Sequence, residues 1–211
     1  SGATADLSRA SSFFQAPGRT NVYDEHPFKV ILDYGHNPAA IAAMADLVDR
    51  LDVKGRRMVV AAMPGDRRDE DIAAAARELA GHFDHYFLKP DDDRRGRGPM
   101  EVPEMLRAVL LENGVTEAKI TMMPDEATAI DTALADAAPN DLLVVFADEL
   151  ARSWKQIIYF KKTEREAIAS TAPVRVERPK VGFEELLAGG DQLIRDERGV
   201  RLARGITEEA D

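Results

Sequence analysis

The chain has 211 residues, 45% of them hydrophobic, with 38 acidic against 28 basic side chains and a formal net charge of −10. That balance argues against a partner made of nucleic acid or anionic membrane, both of which require a positive surface. Cysteine is absent, which removes disulfides, thiolate nucleophiles and zinc-thiolate sites.

No stretch approaches the roughly 18 apolar residues of a membrane span, and no charged-then-apolar leader opens the chain, so a soluble, cytoplasmic protein is expected. The length suits one main domain plus an appendage. The four histidines, His26, His36, His82 and His85, lack metal-ligand spacing. No metal site is expected, and His82 and His85 read as side chains at a helix end.

Residues 1–16 lack periodicity and read as a linker or a cloning remnant. A Pro17-Gly18 turn then delivers Arg19 into a short extended run, Thr20 to Tyr23, which pairs with the apolar Lys29 to Asp33 across a short connection. Tyr34-Gly35-His36-Asn37 makes a polar corner. Asn37 supplies an N-cap, and Pro38 opens a helix with apolar spacing at Ile41, Met44, Ala45, Leu47 and Val48. Asp33 thus stands at a strand tip, where an open α/β sheet binds ligands and where a carboxylate can accept from vicinal hydroxyls.

Arg57 to Met63 reads as a buried strand and Asp69 to His82 as an amphipathic helix with acidic residues in its first turn. Between them lies Pro64-Gly65-Asp66-Arg67-Arg68-Asp69-Glu70-Asp71. His85 to Leu88 is a short strand that runs into the most charge-dense loop, Asp91-Asp92-Asp93-Arg94-Arg95-Gly96-Arg97. Carboxylates there can pair a cationic group, and the arginines can hold a carboxylate in fork geometry. A solvated charged loop is the simpler alternative.

A helix over Val102 to Asn113, a strand over Lys119 to Met123, a helix over Glu126 to Ala137 and an apolar strand over Leu142 to Ala147 follow. Asp148 and Glu149 follow the last strand; they read chiefly as N-caps of a helix over Leu150 to Arg165, with a place facing the ligand cleft as the alternative. The alternation implies an α/β fold: a doubly wound, mostly parallel Rossmann-like sheet with helices on both faces. The main domain is placed at 17–166. Residues 167–211 form an extension with a hairpin signal at Asp196 to Gly199, expected to cover a sheet edge or to pack against another domain.

The segment DYGHNPAA, from Asp33 to Ala40, resembles the motif that opens the C-terminal domain of the Mur ligase superfamily, and Pro17-Gly18-Arg19 matches the P-G-R that precedes it. Pro64 to Asp71 and the Asp91 to Arg97 loop are similar to the cyanophycin synthetase branch. The resemblance implies one domain of an ATP-dependent amide-bond-forming ligase, in which Arg19, Asp33 and Asn37 lie toward the nucleotide. It further implies that Asp66, Arg67, Arg68, Asp91, Asp92, Asp93, Arg94 and Arg97 lie toward an incoming amino acid, arginine joined to an aspartate side chain.

For His36 it leaves a catalytic proton-transfer role open beside plain loop hydrogen bonding. ATP and Mg2+ would be held mainly by a preceding P-loop domain, because no G-x-x-x-x-G-K-[ST] sequence is present here. Partners would be that domain and small amino acid and peptide substrates, with homo-oligomerisation left open. The other reading is a non-catalytic binding or scaffold domain that retains the fold.

Overall fold

The computed structural model describes residues 20–160 and the backbone of two further strands, 191–196 and 199–204. Five strands, β2 (Lys29–Asp33), β3 (Arg57–Ala61), β4 (His85–Leu88), β5 (Ile120–Met122) and β6 (Leu142–Phe146), are mutually parallel. Antiparallel β1 (Asn21–Tyr23) pairs with β2, with Val22 opposite Ile31. The hairpin β7 (Asp191–Asp196) and β8 (Gly199–Arg204) joins the edge through Val22 opposite Val200. The full order is β5-β4-β3-β6-β2-β1-β8-β7.

β3 and β6 are buried along their whole length, as expected of parallel strands covered on both faces, and their sequences RMVVA and LLVVF lack polar alternation for the same reason. Successive side chains of each strand feed opposite layers. Ile31, Val59 and Val144 pack with helices α1 (Pro38–Arg50), α2 (Asp69–Leu79) and α3 (Glu101–Glu112). Val30, Leu32, Val60 and Val145 pack with α4 (Glu126–Asp136) and α5 (Leu150–Tyr159). Helices therefore cover both faces of the parallel part of the sheet.

The order matters for the site. The segment leaving β6 enters α5 on one face, whereas those leaving its neighbours β2 and β3 enter α1 and α2 on the other. The carboxyl end of β6 is thus flanked by chain departing in opposite directions, the place where doubly wound sheets form a crevice.

Two expectations need correction. α5 ends at Tyr159, capped at Phe160, rather than at Arg165. His82 and His85 do not share a helix end: His82 Nδ1 meets Asp49 Oδ2 at 3.0 Å, and His85, on β4, bonds Thr121 Oγ1 at 2.8 Å. No helix among the described residues is long and apolar enough to cross a membrane.

Candidate functional site

Four strand exits converge at the crevice. From β2 comes the corner Asp33 to Asn37. Asp33 is half-buried, and its Oδ2 accepts from the Thr20 amide at 2.8 Å and from the Thr20 hydroxyl at 3.3 Å. Burial raises the Asp33 carboxyl above its ordinary value, and the bonds from Thr20 only partly oppose that. Thr20 holds this contact at φ 46, a left-handed conformation that a β-branched residue adopts only under constraint. Gly35 makes the corner possible, since a Cβ there would lie 2.8 Å from the Phe146 ring and 3.2 Å from Asp33 Oδ1. Asn37 caps α1 by accepting from Ala40 N at 2.9 Å, with Pro38 in the first turn. Arg19 lies outside the described residues.

From β4 come Lys89 and Asp91. Lys89 is fully buried, with Nζ 2.6 Å from Glu126 Oε2 and 2.7 Å from Asp148 Oδ2. Burial alone would depress the ammonium, but the two carboxylates outweigh it and hold Lys89 charged. Glu126, also fully buried, accepts from the Asp148 and Glu149 amides, from Arg152 Nη2 and from Ser153 Oγ as well. Every lone pair of this buried carboxylate is therefore used, which satisfies the condition for a tolerable buried charge.

From β6 comes Asp148. Its Oδ1 meets His36 Nε2 at 2.9 Å, and its Oδ2 accepts from Lys89 Nζ and from the Asp92 amide at 3.0 Å. Burial raises this carboxyl, but His36, Asp91 and Lys89 together bring it well below the usual carboxylate range. His36 is raised despite burial, because Asp148 and the Tyr34 carbonyl stabilise its charged form. Asp91 lies beside Asp148 and is pushed up to about 7, first by burial and then by that neighbouring carboxylate. Asp148 and Glu149 read as N-caps of α5; Glu149 occupies the N-cap without a side-chain bond, and Asp148 instead joins the exits of three strands, β2, β4 and β6. The reason is topological, since only the sheet order places β6 between β2 and β3.

The charged loops after β3 and β4 are fastened to one another. Arg97 donates from Nε to Gly65 O at 2.8 Å, from Nη2 to Arg67 O at 2.9 Å and to Asp69 Oδ1 at 2.7 Å, and from Nη1 to Glu101 Oε1 at 2.9 Å. Arg95 pairs with Asp66 at 2.7 Å. Gly65 is required beneath them, because a Cβ would overlap the Arg94 carbonyl oxygen. Arg68 stands at the N-cap of α2 without a side-chain cap bond and pairs with Asp71 through Nε and Nη2, both at 3.0 Å. Asp92 pairs with Arg152 at 2.7 Å. Arg67, Asp93 and Arg94 have exposed side chains.

Sequence reasoning thus singled out Asp33, His36 and Asp91, which the fold gathers at the crevice, and missed Lys89, Glu126 and Arg152. One signal for Lys89 was available: a charged residue directly continuing the apolar run HYFL.

The Mur ligase, glutamate ligase domain model matches residues 18–149. The chain belongs to that family. Among curated relatives, the Mur ligase domain described here is 37% identical over 144 residues to cyanophycin synthetase of Geminocystis herdmanii, covering 68% of this chain and 16% of that protein. It is 34% identical over 147 residues to the UDP-N-acetylmuramoyl-L-alanyl-D-glutamate–2,6-diaminopimelate ligase of Corynebacterium efficiens, covering 66% and 27%. Among solved structures, E. coli FolC in complex with DHPP and ADP superposes with a TM-score of 0.52 at 27% identity, over 68% of this chain and 31% of that one. The chain therefore spans about a sixth of the length of the cyanophycin synthetase it matches.

Proposed function

We propose that this Mur ligase domain serves an ATP-dependent, amide-bond-forming ligase of the cyanophycin synthetase kind. It closes over ATP and Mg2+ held by a preceding P-loop domain and positions the incoming amine. The observation that carries the reading is the placement of two polar surfaces on one crevice: the Asp33 corner after β2 and the fastened Asp66–Arg97 loops after β3 and β4.

In such a ligase an acyl phosphate is attacked by an amine. This domain's share is orientation and electrostatics rather than a nucleophile. Asp33 fits the nucleotide ribose as a strand-tip carboxylate held rigid by Thr20, with Arg19 and Asn37 on the same side of the assignment. Asp66, Arg67, Arg68, Asp91, Asp92, Asp93 and Arg94 face the amino acid, and Arg97 sets the loop that carries them. The exposed Asp93 and Arg94 suit the cationic side chain and the carboxylate of arginine. His36 accepts or returns a proton at the crevice, positioned by Asp148. The setting is cytoplasmic, where ATP and free amino acids are available.

The test uses the full-length ligase. Replacing Asp92 and Asp93 by Asn together with Arg94→Ala lowers kcat/KM for arginine at least about tenfold while ATP saturation stays nearly constant, because a mispaired charged group costs about 1 to 3 kcal/mol. Unchanged kinetics for both substrates would remove the loop from amine selection.

A further inference from the structure

Asp91, Asp148 and His36 each present one ligand atom, a carboxylate oxygen or ring nitrogen, all within 4.8 Å of one another. They come from the exits of β4, β6 and β2. Two observations distinguish this group from an ordinary acidic cluster.

The first is the imidazole. His36 Nδ1 lies 2.6 Å from the Tyr34 carbonyl oxygen, which can only accept, so Nδ1 carries a hydrogen. Nε2 faces Asp148 Oδ1, 2.9 Å away, so a positive centre stands between them, either the second proton of a charged imidazole or an ion that displaces it. An imidazole whose far N–H is fixed by a backbone carbonyl is the arrangement that orients histidine toward a metal. The second is Asp91, only 7% exposed, whose Oδ1 receives no hydrogen bond. A buried carboxylate oxygen without a donor is costly in a finished site.

We propose that His36 Nε2, Asp148 Oδ1 and an Asp91 carboxylate oxygen form a binding site for one divalent first-row transition ion. Cis ligands of a six-coordinate ion with bonds of about 2.1 Å lie about 3 Å apart, which the His36–Asp148 separation already approaches. One nitrogen with two carboxylate oxygens suits Mn2+ or Zn2+ better than Ca2+ or Mg2+. Lys89 holds the other Asp148 oxygen, and so orients the ligand without competing for the same lone pair. The proposal stands on this geometry and not on the ligase reading; an ion on His36 Nε2 would take the place of the proton exchange given to that ring above.

The test titrates MnCl2 into the purified 211-residue chain by calorimetry and follows histidine ring signals by NMR. The expected result is one ion per chain, with paramagnetic broadening of His36 ahead of His82 and His85. Asp91→Asn and His36→Gln each weaken binding at least about tenfold, whereas Glu117→Gln, remote from the crevice, does not. Asp91→Asn is nearly isosteric and removes a like charge, and a thermal melt checks that it folds. No saturable binding below about 1 mM, or wild-type affinity in both folded site variants, overturns the proposal.

Discussion

Lys89 and Glu126, 37 residues apart in the chain, meet at 2.6 Å with both side chains fully buried. The pair joins the exit of β4 to the start of α4, across the face where α5 also docks. Removing one partner of such a pair strands the other charge. Lys89→Met should therefore lower stability by about 3 to 5 kcal/mol, and the double variant with Glu126→Gln should recover a large part of that loss. Urea unfolding midpoints for the two single variants and the double variant check this. A double variant whose loss equals the sum of the two single losses would show that the pair is not coupled.

Gly65→Ala forces a Cβ into the Arg94 carbonyl. Because the obstacle is backbone, the loop must move rather than a side chain rotate, at a cost of about 1 to 3 kcal/mol. The same shift should loosen the Arg97 bonds, so amide exchange near residues 65–69 and 94–98 should accelerate while that of β6 stays slow.

Strand and helix positions were legible in the sequence because each carried a local signature: the unbroken apolar runs of β3 and β6, the Asn37-Pro38 start of α1, the Asn113-Gly114 end of α3. The site was legible only in pieces. Asp33 and His36 belong to one short motif, whereas Asp148 gains its role from lying between β2 and β3, an order that no local pattern encodes. Glu126 sits at the start of a helix capped by Asp125, where an acidic residue has a sufficient local explanation. Its burial against Lys89 is a consequence of packing across the sheet.

His85 supplies a pH test away from the crevice. Burial lowers its pKa; Asp136 partly opposes this and Arg56 reinforces it. Between that lowered value and the unfolded value of about 6.5, the unfolded chain binds more protons than the folded one, so stability rises with pH through this window and is lost as pH falls. His85→Gln should flatten the gain in unfolding free energy as the pH rises toward about 6.5. An unaltered slope would place the dependence elsewhere.

On the proposed function, the Asp33 corner gives a kinetic test in a full-length protein that carries this domain. Asp33→Asn keeps shape and weakens a charge-assisted acceptor, so the apparent KM for ATP should rise or kcat fall while the melting temperature holds. The isolated 211-residue chain, without a G-x-x-x-x-G-K-[ST] sequence, should show no turnover of ATP above buffer with arginine and an aspartate-terminated peptide. Activity that persisted through further purification would contradict this.

The single guanidinium of Arg97 reaches Gly65, Arg67, Asp69 and Glu101, so the two loops it joins hold their shape as one unit. Transplanting the residues after β4 into a relative, with the aim of exchanging its amine preference, would bring in a side chain three of whose four anchors, Gly65, Arg67 and Asp69, lie in the segment after β3. The smallest graft that carries its own support runs from Pro64 through Glu101, with α2 and β4 included. Recombination that cuts between residues 69 and 94 should yield chains that fold yet present the loop at the wrong height above the sheet.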